Sequence, residues 1–202
     1  MKKITFDLST LHVHGPAFFD YLKLRKQFFV DTLKWDVPHN ENYEMDQYDN
    51  PTAWYSLVVR DGVVLGGARV MPTTSKWGAH TYMLRDALQG KIGGIPDSAM
   101  PADIQTPLVW ECTRLCVTES LRTSVERSRC LSLIVDGLID ISTDHGASEL
   151  VTLSTISLMR ALRQLGYPAD RMGEPYRDPS DGRRYAVLRM PVMSPSHAIA
   201  AE

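Results

Sequence analysis

An α/β fold is predicted for this chain: a mixed sheet covered by helices on both faces, a three-layer α-β-α sandwich. Three observations predict it. Asp61-Gly62, the strongest short hairpin signal, separates two apolar runs. Beyond them, strand-like and helix-like segments alternate toward the C-terminus. No internal repeat, low-complexity tract or linker interrupts the chain, and its 202 residues suit one well-buried domain better than two. We expect a single domain over 1–202, with a core at about 15–190 and a flexible tail at 193–202.

Taken in order, residues 17–35 read as an amphipathic helix with Phe18, Leu22, Phe29 and Leu33 on one stripe. An acidic, turn-rich loop follows at 36–51. Runs 53–60 and 63–71 flank Asp61-Gly62 as paired strands. Residues 75–106 hold Gly78, Gly90, Gly93, Gly94, Pro96 and Pro101, and read as loop with one short helix around 82–88. A strand is expected at 108–117 and a long helix at 124–144, with Leu131, Ile134, Leu138 and Ile141 on one face and a stop at His145-Gly146. Then come a strand at 149–153 and a helix at 156–165, with Gly166 at its C-cap and Pro168 beyond. A final strand at 185–190 is entered through Pro179-Ser180-Asp181-Gly182.

Composition narrows the function. At 44% hydrophobic and 23% charged the chain is ordinary for a soluble globular protein, and a net charge of −2 offers no basic field for nucleic acid. Asp7, His12 and His14 stand where a secretory signal would be apolar, and no apolar run reaches the ~18–20 residues of a membrane span. Cys112, Cys116 and Cys130, odd in number and without CxxC pairing, suit small buried hydrophobes in a reducing cytosol, so we expect a cytoplasmic protein. His12-x-His14 lacks the further ligands a metal site needs, and no metal is expected. Gly66-Gly67 and Gly93-Gly94 lack GxGxxG spacing, which leaves a methyltransferase unsupported. No Ser-His-Asp or Cys-His arrangement stands out.

Charge where a helix should be apolar is the informative departure. Arg25 falls within the stripe, flanked by Tyr21, Leu22, Phe28 and Phe29. An unpaired guanidinium there carries a large desolvation penalty, and the nearest acidic supply is the stretch from Glu41 through Glu44 and Asp46 to Asp49. An internal ion network is expected, and such networks cluster at functional sites. Arg25, Arg69 and Arg114 against Asp46 and Asp49 make three cations and two anions, so a Glu or a ligand carboxylate must complete the balance. A purely structural web and a substrate-positioning one are both open, and the two can coexist. Phe29 fits core or pocket wall equally; Trp35, at a helix end beside a loop, is read as pocket wall. Glu111 and Arg114, three apart on one strand, would face opposite sides unless a bulge re-aims one of them.

Arg25, Phe29, Trp35, Asp46, Asp49, Arg69, Glu111 and Arg114, in that order, with Met71-Pro72-Thr73-Thr74 and Tyr82-Met83-Leu84 as context, resemble the LuxI-type acyl-homoserine-lactone synthases of bacterial quorum sensing. The resemblance covers roughly residues 15–190. It implies an N-acetyltransferase-like sandwich with a splayed sheet, hence a bulge or irregularity near Cys112-Thr113. It also implies an acyltransferase that moves an acyl group from acyl carrier protein to the amine of S-adenosylmethionine, then lactonises the product and releases 5′-methylthioadenosine. S-adenosylmethionine is then a substrate, and no cofactor is expected. By the same resemblance Arg25, Asp46, Asp49, Arg69, Glu111 and Arg114 form the catalytic set. An Arg fork suits the substrate α-carboxylate, the two Asp suit its sulfonium and amine, and Phe29 and Trp35 wall the cation. Glu111 is the candidate general base, and backbone N–H groups near 114–116 are candidates for the thioester oxyanion.

The turn Glu119-Ser120-Leu121-Arg122-Thr123-Ser124 bears on the acyl donor. Coenzyme A users of this fold cradle a pyrophosphate on a glycine-rich turn, and this one has no glycine. Carrier proteins are acidic, so Arg122, Arg127, Arg129, Arg160 and Arg163 are candidate docking residues, or solvated helix charges. Val109, Leu115, Leu153, Ile156, Met159 and Leu188 could line an acyl tunnel or be plain core, and Thr152 and Thr155 are candidates for reading a 3-oxo group. One departure from the family stands out: an insertion at roughly 75–80, after which Leu88 stands where a Phe is usual. The alternatives are an acyl-CoA-dependent N-acyltransferase of the same fold, an acyl-CoA-using homoserine-lactone synthase included, and a binding domain that has lost the chemistry.

Overall fold

The computed structural model describes residues 1–100 and 102–195; Pro101 and residues 196–202, most of the expected tail, lie outside the described residues. The chain falls into two compact parts, one of residues 1–70 and 113–141 and the other of 71–112 and 142–202.

In the first part, Asp61 (φ 52°) and Gly62 (φ 80°) close the hairpin in the left-handed conformation that twisted strands favour. They join β2 (Trp54–Arg60) to β3 (Val63–Pro72) in antiparallel register. An N-terminal strand not anticipated from the sequence, β1 (Lys2–Asp7), pairs antiparallel with β2. Only Phe6 of β1 is fully buried, so it shows little alternation to read. Beyond it, Leu11–His14 forms a short 3-10 turn, with Phe6 and His14 rings 5.3 Å apart. On the other side of β3 runs β4 (Val109–Val117), where the Thr118 N–H donates to the Leu65 carbonyl at 2.8 Å.

Successive β2 residues serve opposite faces. Tyr55 packs against Phe18 of α1 (Ala17–Arg25), whereas the Ser56 hydroxyl donates to the Ile134 carbonyl of α3 (Ser124–Asp144) at 2.8 Å. A Cβ on Gly137 would come within 2.2 Å of Ser56 Oγ, so glycine is what lets α3 lie this close. A Cβ on Gly67 would strike Leu57 and Tyr21 on the opposite face. Here the sheet is therefore covered on both sides.

The helix expected over 17–35 is not uniform. α1 ends at Arg25 and the chain continues as a wider π-helix over Lys26–Thr32, with the Leu33 N–H donating to Phe28 O five residues back (3.0 Å). The sequence Lys-Gln-Phe-Phe-Val-Asp-Thr is rich in weak α formers, and π-helical turns occur frequently at functional positions. Lys34 (φ 60°) then closes the segment, with the Trp35 N–H on Phe29 O at 2.9 Å.

In the second part, β4 pairs in parallel with β5 (Glu149–Thr155), placing Glu111 beside Val151. β5 pairs antiparallel with β8 (Arg184–Pro191) along its whole length. Two short strands, β6 (Asp170–Arg171) and β7 (Tyr176–Arg177), add to β8 and were not anticipated. The helices are α2 (Met83–Leu88) and α4 (Ile156–Gln164). Parallel and antiparallel pairs, with helices between them, make the mixed α/β sheet the sequence predicted.

Candidate active site

The first part holds a network of three guanidiniums and three carboxylates, all buried or nearly so. Arg25, with no exposed surface, donates from Nε to Glu44 Oε2 (2.5 Å) and grips Asp49 bidentately at 2.8 and 2.9 Å. Arg69, equally buried on β3, grips Asp46 at 2.6 and 3.2 Å, lies 2.8 Å from Asp49 Oδ1, and donates from Nε to Thr113 Oγ1 (3.0 Å). Arg114 donates to Glu44 Oε1 (3.0 Å) and meets Asp46 Oδ2 at 2.8 Å. Glu44 is thus the third anion that the charge count required, and three charges meet three. The acidic stretch and the deficit of one carboxylate point to a Glu here, and the structure tells Glu44 from Glu41.

Local geometry explains how so polar a cluster folds. Asp49 Oδ2 accepts the Asp46 N–H (2.9 Å) and Asp46 Oδ1 accepts the Tyr48 N–H (2.9 Å), so the loop curls around its own carboxylates. The Glu44 N–H reaches Leu22 O of α1 (3.2 Å), and the Tyr55 hydroxyl donates to Asp49 (3.0 Å). Each guanidinium also faces a ring at about 5.5 Å: Arg25 over Tyr21, Arg69 over Tyr48 and Arg114 over Phe29. Tyr21 was not read as a site residue; its position one turn before Arg25 on the same face was the available signal.

Burial would push Asp46 and Asp49 toward their neutral forms, but the arginines overrule it. Arg69 and then Arg114 hold Asp46 below its ordinary range, and Arg69 with Arg25 hold Asp49 far below it. In return, and also against burial, Asp49 lifts Arg25 and Asp46 lifts Arg69.

The irregularity expected near Cys112-Thr113 lies one residue on. Arg114 has φ 57°, a left-handed conformation that costs a non-glycine residue roughly 1–2 kcal/mol. Its effect is to break alternation, so that Thr113 and Arg114, although consecutive, both reach the network. The Tyr21 hydroxyl donates to Arg114 O at 2.7 Å and holds the strained peptide in place. From Arg114 the ring of Phe29 stacks on Trp35 at 5.0 Å and 27°, and Trp35 is half-buried. Arg114, Phe29 and Trp35 thus lead outward from the buried charges.

Glu111 belongs to the second part and makes different contacts. Its carboxylate, 1% exposed, accepts the N–H groups of Met83 and Leu84, each at 2.8 Å, and so ties β4 to the start of α2. Thr155 caps α4 by accepting the Leu158 N–H (3.3 Å), and Thr152 lies within β5 opposite Leu188. Arg122, Arg129 and Arg160 are exposed. Arg127 and Arg163 are also exposed, but they donate to local carbonyls, Leu121 O (2.9 Å) and Ala169 O (2.7 Å), and Arg163 also pairs with Asp170. All three thiols are buried, Cys116 pushed up to about 12 and Cys130 to about 11, which unsuits them as nucleophiles. Among the described residues no cluster of three or more His, Cys, Asp and Glu side chains could hold a metal. Nor is any helix long and apolar enough to cross a membrane.

A family model described as autoinducer synthase matches residues 16–197. An acyl-homoserine-lactone synthase of Acinetobacter nosocomialis is 31% identical over 159 residues, covering 75% of this chain and 80% of that protein. Another, from Aliivibrio fischeri, is 29% identical over 173 residues, covering 85% and 84%. In fold, the chain is similar to TofI solved with an inhibitor and MTA (TM-score 0.76, 23% identity, 98% of this chain and 95% of that one). It is also similar to BjaI, a CoA-dependent acyl-homoserine lactone synthase solved with MTA (TM-score 0.77, 17% identity, 96% and 85%). Ion network, fold and relatives lead to one conclusion: the chain belongs to the autoinducer synthase family, whose matched span includes every residue of the network.

Proposed function

We propose that this protein is an acyl-homoserine-lactone synthase that acylates the α-amine of S-adenosylmethionine and closes the lactone. The observation that carries the proposal is the line from Arg114 through Phe29 to Trp35 at the edge of a charge-balanced, buried network. Aromatic faces suit a sulfonium, and a guanidinium at the network's least buried point suits a carboxylate. Arg25, Asp49 and Arg69 are saturated by one another and fully covered, so their role is to position Arg114 and the loop rather than to touch substrate. Asp46, which holds both Arg69 and Arg114, belongs with them.

In the reaction the amine attacks the thioester carbon, its proton passes to a base, and the thiolate leaves with a proton. The methionine carboxylate oxygen then attacks its own γ-carbon, expelling neutral 5′-methylthioadenosine from the sulfonium. Holding the chain curled is the protein's main task in that second step. Glu111, three residues before Arg114 on β4, is the proposed base, acting directly or through water while its backbone bonds fix its position. The buried, raised thiols agree with a route that has no covalent enzyme intermediate.

For the donor we favour an acylated carrier protein over coenzyme A. At the start of α3, Thr123 Oγ1 accepts the Glu126 N–H (3.1 Å), and Glu126 pairs with Arg60 (3.0 Å). A pyrophosphate at this helix start would meet a carboxylate already in place. Arg122, Arg127, Arg129, Arg160 and Arg163 are the proposed contacts for the acidic carrier, Thr152 and Thr155 are proposed to read the acyl chain, and the substrates place the reaction in the cytoplasm. The test is to incubate the protein with S-adenosylmethionine and panels of acyl-carrier-protein and acyl-CoA thioesters, following products by mass spectrometry. Homoserine lactone together with methylthioadenosine is expected, from carrier-protein donors first. Acylated amine without methylthioadenosine would replace this reading with a plain N-acyltransferase.

A further inference from the structure

We infer that the hairpin carrying Trp77 is a docking anchor for the acidic protein that delivers the acyl thioester; the identity of that partner rests on the function proposed above. The hairpin lies at residues 77–80. Trp77 and His80 exchange backbone hydrogen bonds (Trp77 N–H to His80 O, 2.9 Å; His80 N–H to Trp77 O, 3.1 Å) around Gly78 (φ 59°) and Ala79.

The tip is held from beneath by Asp86 of α2, which is wholly buried. Asp86 accepts from Thr81 N–H (3.1 Å), Thr81 Oγ1 (2.7 Å), His80 Nδ1 (2.9 Å) and Lys91 Nζ (3.2 Å), while Lys91 also donates to Ala79 O at 2.6 Å. All this order displays a tryptophan that is 54% exposed. A large aromatic ring on a pre-ordered turn is the kind of residue that dominates protein interfaces, because the backbone that carries it is ordered before the partner arrives.

Charge selects the partner. The one acid of segment 75–91, Asp86, is buried, whereas Lys76 is exposed beside Trp77 with no ion-pair partner among the described residues and Lys91 is exposed below the turn. An acidic surface with an apolar patch complements this knob. α2, which holds the knob through Asp86, has its first N–H groups on Glu111, three residues from Arg114 along β4. A partner seated on Trp77 would bear on the turn that Asp86 holds and, through Asp86, on α2.

Titration of the full-length protein and of Trp77→Ala with phosphopantetheinylated carrier protein, by calorimetry, tests this. Wild type should bind, and Trp77→Ala should weaken Kd at least tenfold. Lys76→Glu should weaken it further at low salt than at high salt, and neither variant should change the circular dichroism spectrum or the KM for S-adenosylmethionine. Equal Kd for wild type and Trp77→Ala, or no binding by wild type, would overturn the inference. A blue shift of tryptophan emission with anionic phospholipid vesicles, lost in Trp77→Ala and not produced by the carrier protein, would assign the knob to a membrane surface instead. Absence of homoserine lactone in the product assay would count against the proposed reaction, while the Kd comparison stands apart from turnover.

Discussion

Two buried carboxylate knots in this chain follow different designs. The network of Arg25, Glu44, Asp46, Asp49, Arg69 and Arg114 joins residues up to 89 positions apart, and every charge in it meets an opposite charge. Asp86 instead draws its donors from residues 80–91, two of them neutral groups of Thr81, with His80 and Lys91 nearer solvent. The first knot fastens a helix, a loop and two strands together; the second shapes one hairpin. Removing a member strands buried charge in the first case and leaves hydratable groups in the second. Long-range pairing in the dry interior is therefore the more costly to disturb, and it is where function and stability should fall together.

The largest effects test that contrast directly. Arg25→Ala or Asp46→Ala should abolish lactone formation and cost about 3–5 kcal/mol in urea unfolding, since an uncompensated buried charge remains. Near-normal turnover by either variant would remove the network from the mechanism.

Acid should act through the same groups. Asp46 and Asp49 have folded pKa values below their unfolded value of about 3.9, so their stabilisation is complete at neutral pH and is lost as pH falls below that value. Unfolding free energy measured from pH 7 to pH 3 should fall steeply in wild type. Asp49→Asn should be less stable at neutral pH and show a shallower fall.

Smaller effects sharpen the comparison. Asp86→Asn should cost about 1–3 kcal/mol through its lost charged acceptor, with the KM for S-adenosylmethionine unchanged; a large rise in that KM would join the two knots functionally. Tyr21→Phe keeps the ring under Arg25 but loses the bond to Arg114 O, and should cost about 1 kcal/mol. Its kcat/KM for S-adenosylmethionine should drop several-fold with the fold intact. Unchanged kinetics would mean that the left-handed Arg114 needs no such tie.

How legible each feature was follows from its physics. The helix Ser124–Asp144 and the Asp61-Gly62 hairpin were readable because period and turn chemistry are local. β1, β6 and β7 were not, since a half-exposed edge strand and two-residue strands carry almost no pattern of their own. The π-helical stretch stayed hidden because its apolar stripe resembles that of an α-helix. At the site, Arg25 in an apolar stripe announced a network and the charge count demanded another anion, yet nothing local told Glu44 from Glu41.

Residue order alone was enough for the class of fold and for the need to neutralise the charged set, because helix period, turn residues and the desolvation of charge act wherever the chain lies. Which carboxylate closes the balance, the left-handed turn that joins Arg114 to Thr113 on one side, and the hold of the start of α2 on Glu111 were settled only by folding in three dimensions. Those outcomes depend on distances between segments remote along the chain, and a hydrogen bond is lost within a fraction of an ångström.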